Sequence, residues 1–258
     1  MARLPREQRA LCALTAFAAA LVVWKALSGV VGSLFLPAPE KTAAALFSLF
    51  AGGFASDVVA SILRMTAGFA LAVAVALPFG LLAGCNHKAA AFLSPLVDFL
   101  RYIPAAALVP LFVLWFGVGE VGAIAFIFFV TFLVVVVLVA DAVSRVPKEY
   151  ADAALTLGAS RGRLLTLVFL PAAGPAVFDG LRVAFGNTWT YVTIVEMIGL
   201  TSGIGYRVIN LQRFLHTPEV IAALAVVGVI GLATDWSLKR ASSALFPWAK
   251  RVEESANA

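Results

Sequence analysis

The sequence predicts an all-α polytopic membrane protein with about six transmembrane helices. Of its 258 residues, 62% are hydrophobic and 13% are charged, and the mean hydropathy is +0.99. Soluble globular domains have about 45–50% apolar and about 25% charged residues. Six apolar runs approach the roughly 20 residues that a bilayer-spanning helix needs. They cover residues 10–24, 65–84, 102–118, 121–140, 183–200 and 220–234.

The first apolar run follows a basic amino terminus and ends at Trp24 and Lys25, which are typical of a membrane–water interface. A basic start before an apolar stretch also fits a cleaved secretory signal. We favour a retained helix because further spans follow. Residues 26–57 then form an external segment, in which a proline-rich break at 37–39 precedes a mildly amphipathic stretch.

The second and third runs contain residues that shape membrane helices. Pro78 can kink the second run, and the spacing of Gly80 and Gly84 lets two helices approach closely. We expect this glycine pair to pack within one subunit, with a seam between two subunits as the alternative. Pro104 and Pro110 interrupt the third run, which a membrane helix tolerates only where neighbours or water satisfy the freed carbonyls. We therefore expect the third span inside the bundle.

Basic residues set the predicted orientation. If the amino terminus is cytoplasmic, twelve lysines and arginines lie inside and three lie outside. The inside set is Arg3, Arg6, Arg9, Lys88, Arg145, Lys148, Arg161, Arg163, Lys239, Arg240, Lys250 and Arg251, and the outside set is Lys41, Arg207 and Arg213. This bias and contact with anionic membrane lipid account for the net charge of +5, so nucleic acid is not needed as a partner.

A polar break after the fourth run predicts a helical hairpin over residues 148–170. Asp152-Ala153-Ala154 continues a first helix, and Gly158 permits the chain to reverse. Ser160 can cap a second short helix, which Pro171 stops. The predicted orientation places this hairpin in the cytoplasm, where a soluble protein can bind it.

The spacing within the hairpin resembles the cytoplasmic signature of permease subunits of binding-protein-dependent ABC importers. That signature reads E-A-A, three residues, G, nine residues, I-x-L-P. In this chain it becomes D-A-A from Asp152, then Gly158, then V-F-L-P ending at Pro171, with Asp for Glu and Val for Ile. Further matches, which are similar to the nitrate, sulfonate and taurine branch, bring the resemblance to roughly residues 35–240. They lie at 101–104, 110–120, 180–182 and 196–199.

The resemblance implies a type I ABC importer permease fold, with a core at about residues 57–243 of a single transmembrane domain (1–258). It implies a multi-pass subunit of the bacterial inner membrane that carries a small solute, such as a sulfonate, nitrate or a taurine-like molecule. The expected partners are cytoplasmic ABC ATPase subunits, an external solute-binding protein and a second copy of the permease. The residues assigned to ATPase coupling are Asp152, Ala153, Ala154, Gly158, Leu170 and Pro171.

ATP binding is expected in a separate polypeptide. The chain contains no G-x-x-x-x-G-K-[ST] loop with which to cradle phosphates. We therefore expect no cofactor in this chain and a transport subunit rather than an enzyme.

Ionisable residues inside apolar runs are candidates for the translocation path, because each costs roughly 2.5–3.5 kcal/mol on insertion scales without a partner or water. Glu196 shares one helical face with Trp189 and Thr193 through i, i+4 and i+7 spacing. This face is a candidate lining of the path or its gate, together with Arg101 and Trp115. The alternative is that Glu196 makes a structural ion pair or hydrogen bond with a neighbouring helix.

Two other functions stay open from the residues alone. An ion-gradient-driven carrier would use an intramembrane carboxylate such as Glu196 as its relay. A membrane-embedded enzyme would need a nucleophile–base pair, or a carboxylate–histidine cluster, at membrane depth. His87 and His216 are expected in loops without neighbouring ligands at metal-binding spacing, so we expect neither a catalytic residue nor a metal site.

Overall fold

The computed structural model describes residues 6–249, which form helices joined by turns and short loops. The first half contains α1 (Arg6–Val31), α2 (Pro39–Ala51), α3 (Phe54–Cys85), α4 (His87–Arg101), α5 (Ala105–Phe116) and α6 (Glu120–Ser144). The second half contains α7 (Lys148–Thr156), α8 (Arg161–Leu164), a π-helical turn (Leu165–Phe169), α9 (Leu170–Gly199), α10 (Ile204–Arg213) and α11 (Thr217–Leu245). The prediction of an all-α fold is confirmed. Arg3, Lys250 and Arg251 lie outside the described residues.

Within residues 6–249, five helical stretches are long and apolar enough to cross a membrane. They are Leu11–Val31, Phe54–Cys85, Glu120–Ser144, Gly162–Gly199 and Thr217–Leu245. Helices α4 and α5 are long and apolar enough to cross a membrane only when taken together, and the chain bends by 96° at the break between them. Counting that pair as one broken span gives the six spans that the sequence predicts.

The prediction of a third span over residues 102–118 is wrong, because these residues do not form one helix of span length. The chain bends before Pro104, and α5 begins only at Ala105. Pro110, by contrast, lies inside α5 without ending it. With 12 residues, α5 is about 18 Å long at 1.5 Å per residue, well short of a membrane core about 30 Å thick.

Helices α3 and α6 form the centre of the bundle because glycines of α3 let their backbones approach. A Cβ atom placed on Gly80 would lie 2.6 Å from Cβ of Val139, and one on Gly84 would lie 2.6 Å from Cβ of Val143. Side chains larger than hydrogen therefore do not fit at these positions in this packing. The expectation that the glycine pair packs within one subunit is confirmed.

The segment predicted to be external, residues 26–57, is more ordered than the sequence indicates. Its amphipathic part forms α2, whose buried residues Ala45 and Leu49 belong to an apolar cluster shared with Ala222 of α11. Helix α3 already begins at Phe54, ahead of the apolar run predicted from residue 65. Burial of these side chains against α11 stabilises a helix that has only 13 residues.

Helix α1 is joined to this segment by polar contacts. Nε1 of Trp24 donates to the carbonyl of Pro37 over 3.0 Å. Lys25 forms an ion pair with Glu40 at the start of α2, and its hydrogen bond lowers the pKa of the Glu40 carboxyl below the ordinary value. The prediction that Trp24 and Lys25 end the first span is wrong, because the span-length helix continues to Val31. These two residues instead connect α1 to Pro37 and to the start of α2.

The prediction that Pro171 stops a short second helix of the hairpin is wrong. Pro171 is the second residue of α9, and helical structure runs without a break from Gly162 to Gly199. Inside a continuous helix, proline lacks the N–H that would bond to a carbonyl one turn earlier, so the helix must adjust locally. The wider π-helical turn Leu165–Phe169, directly before α9, provides this adjustment. Ser160 precedes α8 in an extended conformation, but within the described residues its side chain makes no capping hydrogen bond.

Candidate functional site

The hairpin between α6 and α9 is built as the sequence predicts up to its turn. Helix α7 follows Pro147, and Gly158 adopts φ of +84°, the left-handed conformation that glycine tolerates best. The amides of Leu157, Gly158 and Ala159 bond to carbonyls of residues 153–155 at 3.0–3.2 Å, which satisfies the end of α7. The turn therefore places one face of α7 opposite the π-helical turn and the start of α9.

An open apolar groove of about 490 Å³ lies along this face. Its wall on α7 consists of Tyr150, Ala153, Ala154 and Leu157, and the opposite wall consists of Leu167, Val168, Pro171, Ala172 and Trp248. We call it the hairpin groove. Leu157, directly after α7, is 89% exposed, and Leu167, in the π-helical turn before α9, is 66% exposed. Contiguous exposed apolar surface of this kind marks an interaction site.

The structure brings together three of the six residues predicted to couple to an ATPase. Ala153, Ala154 and Pro171 line the hairpin groove. Gly158 forms the turn, Asp152 is exposed on α7, and Leu170 is 45% exposed at the start of α9. The sequence interpretation missed Tyr150, Leu157 and Trp248. Tyr150 and Leu157 carried a signal, since both are apolar side chains within one turn of the alanine pair.

A second candidate lies near the other end of α9, where a buried arginine connects three helices and the loop that follows α9. The five N–H donors of Arg64 in α3 all have acceptors, at 2.6–2.9 Å. Two donors grip the carboxylate of Glu120 in α6 side-on, one binds Glu196 in α9, and two bind the carbonyl and the hydroxyl of Ser202. The side chain of Arg64 is 3% exposed and that of Glu196 is fully buried, whereas Glu120 is 60% exposed.

The same network fixes the first residues of α10. The amide of Gly203 donates to Asp57, that of Ile204 to Ser61, and that of Gly205 to Glu196, each over 2.9 Å. Three backbone donors at the amino end of a helix thus find side-chain acceptors from α3 and α9. These contacts tie the loop after α9 back onto the bundle.

Two glycines make this arrangement possible. Gly203 has φ of +109°, and a Cβ atom there would collide with the carboxylate of Glu196. A Cβ atom on Gly205 would collide with the carbonyl of Thr193. Nearby, Arg207 pairs with Asp57 at 2.6 Å. We call the set of Asp57, Ser61, Arg64, Glu120, Glu196, Ser202 and Arg207 the Arg64 network.

The other residues assigned to the path lie in separate surroundings. Trp189 is 6% exposed within the main apolar cluster, and its Nε1 has no acceptor among the described residues. The hydroxyl of Thr193 donates to the carbonyl of Trp189. Trp115 is 61% exposed on α5 and lies beside Phe112. Arg101 pairs with Asp98 at 3.1 Å and lines a cavity of about 240 Å³ at the bend between α4 and α5.

The sequence interpretation missed Arg64 as the partner of Glu196. Arg64 precedes the predicted apolar run at 65–84 by one residue, so it fell outside the span. The only local signal was a lone arginine bordering a long apolar stretch. Its partner in α9 is 132 residues away in sequence, a distance that helical periodicity cannot bridge.

Comparison with known proteins identifies the family. Residues 76–246 match the family described as "Binding-protein-dependent transport system inner membrane component". A putative ABC transporter permease of Methanocaldococcus jannaschii is 34% identical over 92% of this chain and 91% of its own length. The taurine transport system permease protein TauC of Escherichia coli is 31% identical over 97% and 94%. The bicarbonate transport system permease protein CmpB of Synechococcus elongatus is 30% identical over 83% and 82%.

Solved structures agree on the fold. An inward-facing structure of the MetNI methionine ABC transporter superposes with a TM-score of 0.67, covering 74% of this chain and 95% of that one, at 17% identity. This likeness supports the type I permease fold predicted from the sequence. At 17% identity the likeness indicates the fold alone and says nothing about which solute is transported. The match over residues 76–246 decides against the carrier and the membrane-embedded enzyme, and the chain belongs to the family of binding-protein-dependent transport permeases, the membrane-spanning subunits of ABC importers.

Proposed function

We propose that the hairpin groove is the docking surface for an ATP-hydrolysing subunit. The observation that carries this proposal is the exposed apolar face of α7, where Ala153, Ala154 and Leu157 stand opposite Trp248 without a covering element among the described residues. Two alanines leave room for a partner's side chains, and the flanking large residues offer apolar area to bury. Movement of the groove would pass directly to α9, because helical structure is continuous from Gly162 to Gly199.

The complete transporter consists of two permease chains, separate ATPase subunits that bind ATP, and an external solute-binding protein. The permease chain itself carries no cofactor. The family description names a binding-protein-dependent system, which supports the external partner. The excess of basic residues around the hairpin supports a cytoplasmic amino terminus and hairpin in a bacterial inner membrane. The Arg64 network then lies at the external end.

The proposed cargo is a small solute that bears an anionic oxygen group. The relatives named for taurine and for bicarbonate support this class. So does the cavity at the α4–α5 bend, which is lined by Arg101, Tyr102 and Tyr191 and offers a guanidinium and two phenols at a broken span. Trp115, Trp189 and Thr193 retain their proposed assignment to the path or gate. For Glu196, the buried pair with Arg64 favours the alternative, a structural role.

Two matched substitutions on the hairpin test the docking proposal. Ala153→Asp places a charge in the hairpin groove, whereas Ser160→Asp places the same charge on the same hairpin outside it. We expect Ala153→Asp to abolish cargo-stimulated ATP hydrolysis and co-purification of the ATPase, because a desolvated carboxylate without a partner is costly. Ser160→Asp should retain both. Normal ATPase binding by a membrane-inserted Ala153→Asp permease would refute the proposal.

A further inference from the structure

A second groove lies on the other flank of the hairpin. It has a volume of about 640 Å³ and separates the hairpin from the junction of α3 and α4. Its walls are formed by Leu82, Cys85, Asn86, His87 and Lys88 on one side and by Leu155, Leu164, Leu165 and Phe169 on the other. We call it the junction groove. None of the residues predicted to couple to an ATPase lines it.

The junction groove lies where membrane spans leave the bilayer. Leu82 and Cys85 belong to the last turn of α3, a span that ends at Cys85. Leu165 and Phe169 belong to the π-helical turn inside the span-length stretch Gly162–Gly199. One part of the groove therefore faces hydrocarbon, and the part formed by the α3–α4 turn faces the polar headgroup region.

The lining residues change from apolar to polar and basic between the hydrocarbon part of the groove and the headgroup part. Five of its residues are leucine or phenylalanine, while Asn86, His87 and Lys88 are exposed at the rim. None of the nine described residues that line the groove is acidic. The amino end of α4 begins at His87 and adds positive potential beside the lysine. The groove thus pairs an apolar floor with a cationic rim, as a phospholipid with an anionic headgroup requires.

We propose that the junction groove binds an anionic phospholipid. Its phosphate lies against Lys88 and the start of α4, and the upper part of an acyl chain lies against Leu82, Leu165 and Phe169. A lipid in this position connects the end of α3 to the π-helical turn that precedes α9. It therefore holds the hairpin against the bundle from the side opposite the hairpin groove.

The thiol of Cys85 provides a reporter inside the groove. Cys85 is half-buried and lines the groove, while the chain's other cysteine, Cys12, is exposed on α1. In a Cys12→Ser permease, N-ethylmaleimide therefore reacts with Cys85 alone. We expect this alkylation to be several-fold slower in nanodiscs containing phosphatidylglycerol than in nanodiscs of phosphatidylcholine alone. The reagent is neutral, so surface potential does not change its local concentration.

Charge reversal on the rim provides the control. Lys88→Glu should remove the difference between the two lipids, whereas Lys239→Glu, an equal change at an exposed lysine of α11 outside the groove, should preserve it. Leu165→Trp, which fills the groove without altering charge, should slow alkylation equally in both lipids. Comparing the two lipids within each variant cancels direct effects of the substitution on the thiol.

The remaining outcomes overturn the proposal. Equal alkylation of the Cys12→Ser permease in both lipids would show that no anionic lipid is preferred, and protection that survives Lys88→Glu would place the lipid elsewhere. Protection by added ATPase subunit, but not by phosphatidylglycerol, would assign the groove to that protein. The lipid comparison uses the permease without its ATPase, so failure of the lipid proposal and failure of the docking proposal are separate results.

Discussion

At the residue scale, Arg64 decides how Glu196 is accommodated in an apolar helix. A charged side chain at membrane depth needs a partner, and here the guanidinium satisfies Glu196 and Glu120 together. The Glu196 carboxylate also accepts from the hydroxyl of Ser61 and the amide of Gly205. Glu196 therefore joins α3, α9 and α10.

Glu196→Gln tests this structural role against a role in the path. We expect it to lower the thermal stability of the permease clearly, because disrupting a buried ion pair costs about 3–5 kcal/mol, reduced here since Glu120 still pairs with Arg64. Glu120→Gln removes the partner that is 60% exposed and should destabilise less. Thermal unfolding in detergent and solute uptake, measured on both variants, separate the two roles. Lost uptake with unchanged stability would instead assign Glu196 to the path.

At the scale of elements, the contact between α3 and α6 depends on glycine. A Cβ atom on Gly80 or Gly84 would lie only 2.6 Å from Cβ of Val139 or Val143, so the two backbones are already at their closest approach. Membrane helices associate through such close packing, since apolar side chains gain little by leaving lipid for one another.

Gly80→Ala should therefore destabilise the bundle by about 1–3 kcal/mol, the usual cost of overpacking. Gly228→Ala makes the same substitution in α11, where the added methyl group meets no atom of the described residues within 4 Å. It should leave stability unchanged or raise it slightly, because alanine has the higher helix propensity. Thermal unfolding of the two variants provides the measurement. An equal effect at both positions would contradict close α3–α6 packing.

At the scale of the whole molecule, the six-span interpretation and the positive-inside bias place the two ends of the bundle on opposite sides of the membrane. Pro171 and Glu196 lie in one helix and are about 37 Å apart at 1.5 Å per residue. The hairpin and the Arg64 network therefore face different compartments. One continuous helical stretch, Gly162–Gly199, connects the hairpin to the Arg64 network.

Thiol labelling tests this topology. In a chain with Cys12→Ser and Cys85→Ser, we expect Ser160→Cys to react with a membrane-impermeant maleimide only after the cytoplasmic face is opened. Ser33→Cys, in the exposed loop after α1, should react in intact cells. Ser202 is unsuitable as the external site because its hydroxyl accepts from Arg64. Labelling of Ser160→Cys in intact cells would reverse the orientation.

The sequence by itself determined the features that depend on local pattern. Apolar runs long enough to span a bilayer indicated the membrane class and the six spans, and the left-handed turn at Gly158 needed only the chemistry of glycine. The close spacing of Gly80 and Gly84 indicated a tight helix contact, which packing against Val139 and Val143 confirms. Such features are encoded in contiguous stretches of the sequence, so they can be predicted without knowing which distant elements pack against them.

The tertiary structure alone decided which distant elements meet. The pairing of Arg64 with Glu196 joins α3 to α9. The wall of the hairpin groove includes Trp248, which lies near the carboxyl terminus. The effects of Pro104 and Pro171 also depended on context: the first lies at a 96° bend, whereas the second is accommodated at the start of α9 after a π-helical turn. A local sequence permits several conformations, and packing against distant elements determines which one forms. The residue pairs and the effects of the two prolines therefore could not be predicted from the local sequence.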